Sequence, residues 1–133
     1  MIIKSRMAKE AIVRISNRPG ALAQITGNLA GKGINIEAVI ATVDGTDAVI
    51  RMVTSDHART LTALHEQKLE AQEAKVVVVE ALHRPGLLQY ITEKLAKENM
   101  DLFYLYATAA TNGDQCLVVL SSTNNDWAVM ILK

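Results

Sequence analysis

The feature that most constrains this chain is a duplication. Arg18-Pro19-Gly20 and Arg84-Pro85-Gly86 are the same tripeptide and contain both prolines of the sequence. Each sits between a β-branched run (Ala11 to Ser16, Val76 to Ala81) and a stretch with helical apolar spacing. Proline fixes φ near the value a first helical turn needs and has no N–H to lose there, while the adjoining glycine lets the backbone turn sharply. Each tripeptide therefore predicts a strand-to-helix corner. The first amides of a helix leave such a corner without an intrahelical acceptor, backed by the positive end of the helix dipole, so the corner suits a carboxylate or a phosphate.

Superposing the corners aligns more than the tripeptides. With a shift of about 66 positions, roughly ten of the 25 residues from Arg18 to Thr42 recur between Arg84 and Thr108. They include Leu22/Leu88, Ile25/Ile91, Thr26/Thr92, Leu29/Leu95 and Ala41-Thr42/Ala107-Thr108. The match continues through Gly45/Gly113 once about two residues are inserted in the second turn. The 133 residues thus divide into a first domain over 1–74 and a second, C-terminally short, over 75–133. Each is small enough to be marginal alone, so the two are expected to share an interface.

Composition narrows the function classes. The formal charge is zero, which argues against nucleic acid as a partner. The single cysteine, Cys116, excludes an internal disulfide, and no apolar run approaches the ~20 residues that span a membrane. The opening Met1-Ile-Ile-Lys-Ser-Arg6 is too short and too charged for a secretory signal, so a cytoplasmic location is expected.

Along the chain, residues 1–10 read as a loose lead-in. Ala11 to Ser16 alternates as a strand, and Leu22, Ile25, Leu29 and Ala30 make a helical stripe stopped at Gly31-Lys32-Gly33. Ile34 to Thr42 and Asp47 to Val53 are strands joined by a turn at Asp44-Gly45. A helix capped by Ser55 or Asp56 runs to about Gln67, and Leu69 to Ala74 is a weak fourth strand. The fold class is α+β: two tandem ferredoxin-like βαββαβ units, antiparallel sheets with helices on one face. The second unit repeats the order with Val76 to Ala81, Leu87 to Glu98, Met100 to Thr108, Gln115 to Leu120 and a helix from about Asn125, then lacks its last strand.

Away from the helices, the first unit should show Arg14, Glu37 and Arg51, which can neutralise one another. The second should show Glu80, Phe103, Leu105, Leu117 and Val119, an apolar face that predicts a homodimer. Other signals read plainly. His57 and His65 are exposed helix residues, Cys116 is a buried inert thiol, and Trp127 packs on the core. Phe103, Tyr104 and Tyr106 lack the basic frame of an RNA-binding sheet. No nucleophile–base pair, carboxylate dyad, metal cluster or phosphate loop can be assembled, so no enzyme, cofactor or metal is expected.

The corner Asn17-Arg18-Pro19-Gly20-Ala21-Leu22, followed by Gly33-Ile34-Asn35-Ile36, resembles the ACT domain, a small regulatory module that senses amino acids. His83-Arg84-Pro85-Gly86-Leu87-Leu88 with Met100-Asp101-Leu102 resembles a second copy, so the chain resembles a stand-alone tandem ACT protein. In that family ligand sits where two modules lie side by side. The resemblance implies that the corner at Asn17, Gly20 and Ala21 faces Asp101, and that the corner at His83, Gly86 and Leu87 faces Asn35. A small α-amino acid would put its carboxylate on helix-start amides and its ammonium on Asp101. His83 departs from the family's frequent asparagine, which favours one good site per chain. The function implied is regulation of an enzyme or regulator by an amino acid. The alternative is a ligand-free interaction module or regulatory subunit acting through its dimer surface.

Overall fold

The computed structural model describes residues 1–108 and 113–133; the turn in which the two-residue insertion was expected lies outside the described residues. The chain divides into two compact units, and residues 1–8 do not belong with 9–74. One unit is 9–74; the other joins residues 1–8 to 75–133. The reason is β1, Ile2–Ser16, a 15-residue strand where a loose lead-in was expected.

In the 9–74 unit, β1 is followed by α1 (Ala21–Gly31), β2 (Ile36–Asp44), β3 (Asp47–Thr54), α2 (His57–Glu66) and the start of β4 (Ala71–Leu82). The strand order is β2-β3-β1-β4, the ferredoxin-like arrangement. β1 and β2 both run antiparallel to β3, with Val13 and Ala41 opposite Ile50. The alternation read from the sequence puts Ala11 and Val13 on the helix side. There they join Ile50 and Met52 of β3, Ile25 and Leu29 of α1, and Ala63 and Leu64 of α2 in one buried cluster. Ile25 and Leu29 are four residues apart, one turn of one helix face, and burying each contributes roughly 1.5–3 kcal/mol. α1 ends where Gly33 takes φ 72°, a left-handed turn that suits glycine. On the other face Arg14 pairs with Asp44 at 2.7 Å and Asp47 at 3.3 Å, and Arg51 pairs with the fully buried Glu10 at 3.3 Å. Neighbouring acids thus replace the expected Arg14, Glu37 and Arg51 set. His57 is also not a bare surface residue: its Nε2 lies 2.6 Å from Glu73 Oε2.

The second unit carries α3 (Leu87–Lys97), β5 (Leu102–Ala107), β6 (Gln115–Ser122) and α4 (Asn125–Ile131). Its fourth strand is not missing; it is supplied by residues 2–8 of β1, from the opposite end of the sequence. β1 lies beside β4, which pairs with β6, which pairs with β5. Leu82 N donates to Met1 O at 2.8 Å, and Ser5 Oγ donates to Leu132 O at 2.6 Å beyond the end of α4. Ile2 and Met7 pack against the core made by Val77, Val79 and Ala81, Leu87, Ile91 and Leu95, and Val118 and Leu120. What read as two strands, Leu69 to Ala74 and Val76 to Ala81, is the single strand β4.

A register shift falls between Leu102 and Tyr104, matching one between Ile36 and Ala38 in the other unit. An extra residue reverses the alternation beyond it, so Leu105 packs with the helix-side core instead of facing away from it. Val119 is fully buried and Phe103 is 69% exposed, so the continuous open apolar face expected for this unit does not form. Trp127 is 41% exposed; Ala128 and Leu132 fill the core in its place. Cys116 is buried, and burial pushes its thiol pKa up, as for an inert side chain.

Candidate functional site

The two corners are built alike. At the first, Asn17 N donates to Thr46 O at 2.9 Å, which fastens the corner to the β2–β3 turn, and Ala21 N closes back on Arg18 O at 3.2 Å. Gly20, the N-cap of α1, takes φ 84°, and Gly86, the N-cap of α3, takes φ 90°. This left-handed conformation costs an L-residue about 1–2 kcal/mol, which is why glycine stands at both. At the second corner His83 N donates to Asp114 O at 2.5 Å and Leu87 N to Arg84 O at 3.1 Å.

Neither glycine has a side chain to cap its helix, and neither α1 nor α3 has an acidic residue in its first turn. The other two helices differ: Asp56 Oδ1 accepts from Arg59 N, and Asn124 Oδ1 accepts from Trp127 N, both at 3.1 Å. The second and third amides of α1 (Leu22, Ala23) and α3 (Leu88, Gln89) have no intrahelical acceptor and point outward. Each corner opens on a cleft against the end of a strand hairpin. The first, about 230 Å³, is lined by Asn17, Arg18, Ala21, Leu22 and the aliphatic or hydroxyl side chains of Ala41, Thr42, Val43 and Ala48. Its counterpart, about 360 Å³, is lined by His83, Arg84, Gly86, Leu87, Ala107, Thr108 and Cys116.

The expected site residues thus fall into two groups in each unit. Asn17 and Ala21 line one cleft, with Gly20 between them in sequence as the N-cap of α1, and His83, Gly86 and Leu87 line the other. Asn35 and Asp101 lie elsewhere, at the start of β2 and β5, while the clefts touch the far ends of those strands. Seven residues of strand separate Asn35 from Thr42, about 23 Å at ~3.3 Å each. Asn35 is clamped between Ser55 Oγ and Ser55 N, both at 2.9 Å. Asp101 is held the same way by Thr123, at 3.3 and 3.0 Å, and its carboxylate has no bond among the described residues.

The arginines escaped attention in the sequence, where Arg18 and Arg84 read only as part of a turn motif. Arg18 lines the first cleft, and its Nη2 donates to Gln24 Oε1 at 3.3 Å. Arg84 is tied to Asp114, Nη2 to Oδ2 at 2.5 Å, and the guanidinium holds the Asp114 carboxyl below its usual range. The offset that aligns Thr46 with Asp114 was the available signal. Among the described residues no group of three or more His, Cys, Asp or Glu side chains is placed to hold a metal ion. No helix among them is long and apolar enough to cross a membrane.

No curated protein matches this chain. Among solved structures, it is similar to the protein BT0572 from Bacteroides thetaiotaomicron, with 25% identity and a TM-score of 0.86 over 96% of this chain and 88% of that one. The regulatory subunit of aspartate kinase from Thermus thermophilus shares the fold at 15% identity and a TM-score of 0.69, over 99% and 95% of the two chains. A structure of aspartokinase α and β subunits does so at 20% identity and 0.66, over 99% and 96%. Residues 10–72 match the ACT domain, a span that holds the first corner, its cleft and Asn35. With the duplicated corners and the ferredoxin-like units, that match identifies residues 10–72 as an ACT domain.

Proposed function

We propose that the protein is an amino-acid sensor: a small α-amino acid settles at a strand-to-helix corner and alters the affinity for a partner enzyme or regulator. The observation that carries this reading is the pair of equivalent helix starts left uncapped behind left-handed glycines, in a molecule that caps its other two helices with side chains. A carboxylate supplies the missing cap, accepting from first-turn amides in the field of the helix dipole. The aliphatic walls of the 9–74 cleft suit a small side chain beside it.

In this reading Asn17, Gly20 and Ala21 hold the carboxylate, with His83, Gly86 and Leu87 as the equivalent set. The ammonium would be met by a polar group that a module of a second copy brings to the corner, Asp101 at the first corner and Asn35 at the second, and Asp101 would make the stronger, charge-assisted bond. Binding then biases one packing of the modules over another, which is how a small ligand regulates a partner. A homodimer is part of the proposal, supported by apolar side chains left exposed on β2 and β5, Val43 at 65% and Phe103 at 69%.

A thermal-shift screen of the common amino acids tests the reading. Stabilisation by one or a few is the expected result, because a ligand at 100 times its Kd adds about 2.7 kcal/mol. A flat screen with a dimer by light scattering would favour the other reading, a ligand-free interaction module acting through those exposed residues.

A further inference from the structure

The two corners descend from one sequence, yet their arginines keep different company. In the second unit Arg84 Nη2 sits 2.5 Å from Asp114 Oδ2. In the 9–74 unit Thr46 stands where Asp114 stands in the repeat, and its carbonyl accepts from Asn17 N as the Asp114 carbonyl accepts from His83 N. The backbone arrangement is kept, but threonine brings no carboxylate. Arg18 is left with a neutral contact, Gln24 Oε1 at 3.3 Å, and no ion pair among the described residues. The nearby acids Asp44 and Asp47 are both bound to Arg14. Arg18 also lines two clefts, the one of about 230 Å³ and one of about 380 Å³ that Gln24 and Gln67 also line.

The second corner therefore displays a carboxylate seated on its arginine, supplied by the chain itself, and the first displays the same arginine without one. We propose that Arg18 receives the carboxylate of the bound amino acid, and that Asp114 fills the equivalent place on Arg84, so that each chain takes one ligand. The proposal rests on the amino-acid reading above. A guanidinium offers a carboxylate two parallel donors and adds to the first-turn amides, which a lone helix start cannot match. On Arg84 an incoming carboxylate must displace Asp114, which is already tethered beside it and loses little freedom by staying. Asp114 remains ionised across the physiological range, because the neighbouring guanidinium holds its carboxyl down.

The test uses the full chain and each common amino acid in turn as probe, first by thermal shift and then by calorimetry with the one that binds. One molecule per chain is expected. Arg18→Gln should weaken binding about tenfold to a hundredfold and abolish the preference for the amino acid over its α-carboxamide. Arg18→Lys should restore part of both, which a misfolded variant cannot do. Arg84→Gln should leave affinity unchanged, and Asp114→Asn should raise the stoichiometry to two. If no amino acid shifts the wild type, the sensor reading falls and this inference with it. If the wild type binds while Arg18→Gln binds equally and still rejects the amide, this inference alone is overturned. A stoichiometry that stays at one in Asp114→Asn overturns the role given to Asp114.

Discussion

Glu73 shows how a single contact makes this fold sensitive to acid. Its carboxylate accepts from His57 Nε2 at 2.6 Å and lies 3.9 Å from Lys9 Nζ, so one side chain of β4 joins the start of α2 to β1 inside the 9–74 unit. The hydrogen bond to His57 is the main cause that lowers the Glu73 pKa, with Lys9 adding to it. A carboxyl whose pKa is lower folded than unfolded contributes stability that is complete above the unfolded value and is lost as pH falls through the folded one. Glu73→Gln should therefore unfold at lower urea than the wild type at neutral pH, and the gap should close as pH falls below the ordinary carboxylate range. A gap of equal size at both pH values would show that the variant acts through packing and not through the charge. The group is exposed enough that the effect should be small.

The element scale holds both what the sequence showed and what it hid. The corners, four helices and β2, β3 and β6 were legible because their signals are local: a proline and glycine at a bend, apolar residues one turn apart, a glycine at a hairpin. The strand from Ile2 to Ala8 was not. Lys4, Ser5 and Arg6 break its apolar pattern, and what makes it a strand is β4, more than 65 residues away in the chain. The bulges at 36–38 and 102–104 were equally invisible, since periodicity counts residues and cannot see where one is skipped; that is why Leu105 was assigned to the wrong face. The two corners at Asn17 to Gly20 and His83 to Gly86 were legible from the motif, and the pairing of Arg84 with Asp114 was not, because it joins two turns. The role of the first strand has a direct test. Removing residues 1–8 should raise amide exchange across residues 76–82 of β4, while β3 in the 9–74 unit keeps its protection. Ser5→Ala, which loses only the bond to Leu132 O, should cost about 1 kcal/mol.

Taken whole, the molecule is two copies of one plan with the chain cut at different points. The 9–74 unit runs β-α-β-β-α-β in sequence order, and the other begins at its fourth strand and then supplies the remaining five elements. A circular permutant that starts at Lys9, joins Lys133 to Met1 and ends at Ala8 would give both units the same order. The join is short. Ser5 Oγ touches Leu132 O at 2.6 Å, and Met1 is four residues from Ser5, about 13 Å along a strand at ~3.3 Å per residue, so a linker of about five residues spans it. The cut falls inside β1, between residues that belong to different units, so each half keeps its own partners. Closing a loop of that length changes chain entropy little, so the permutant should unfold cooperatively within about 1–2 kcal/mol of the parent. It should also bind the same amino acid with the same stoichiometry, since every residue assigned to a corner stays in its unit. A permutant that folds only its 9–74 half would show that the continuous β1 strand, and not the contacts within each unit, holds residues 1–8 in place.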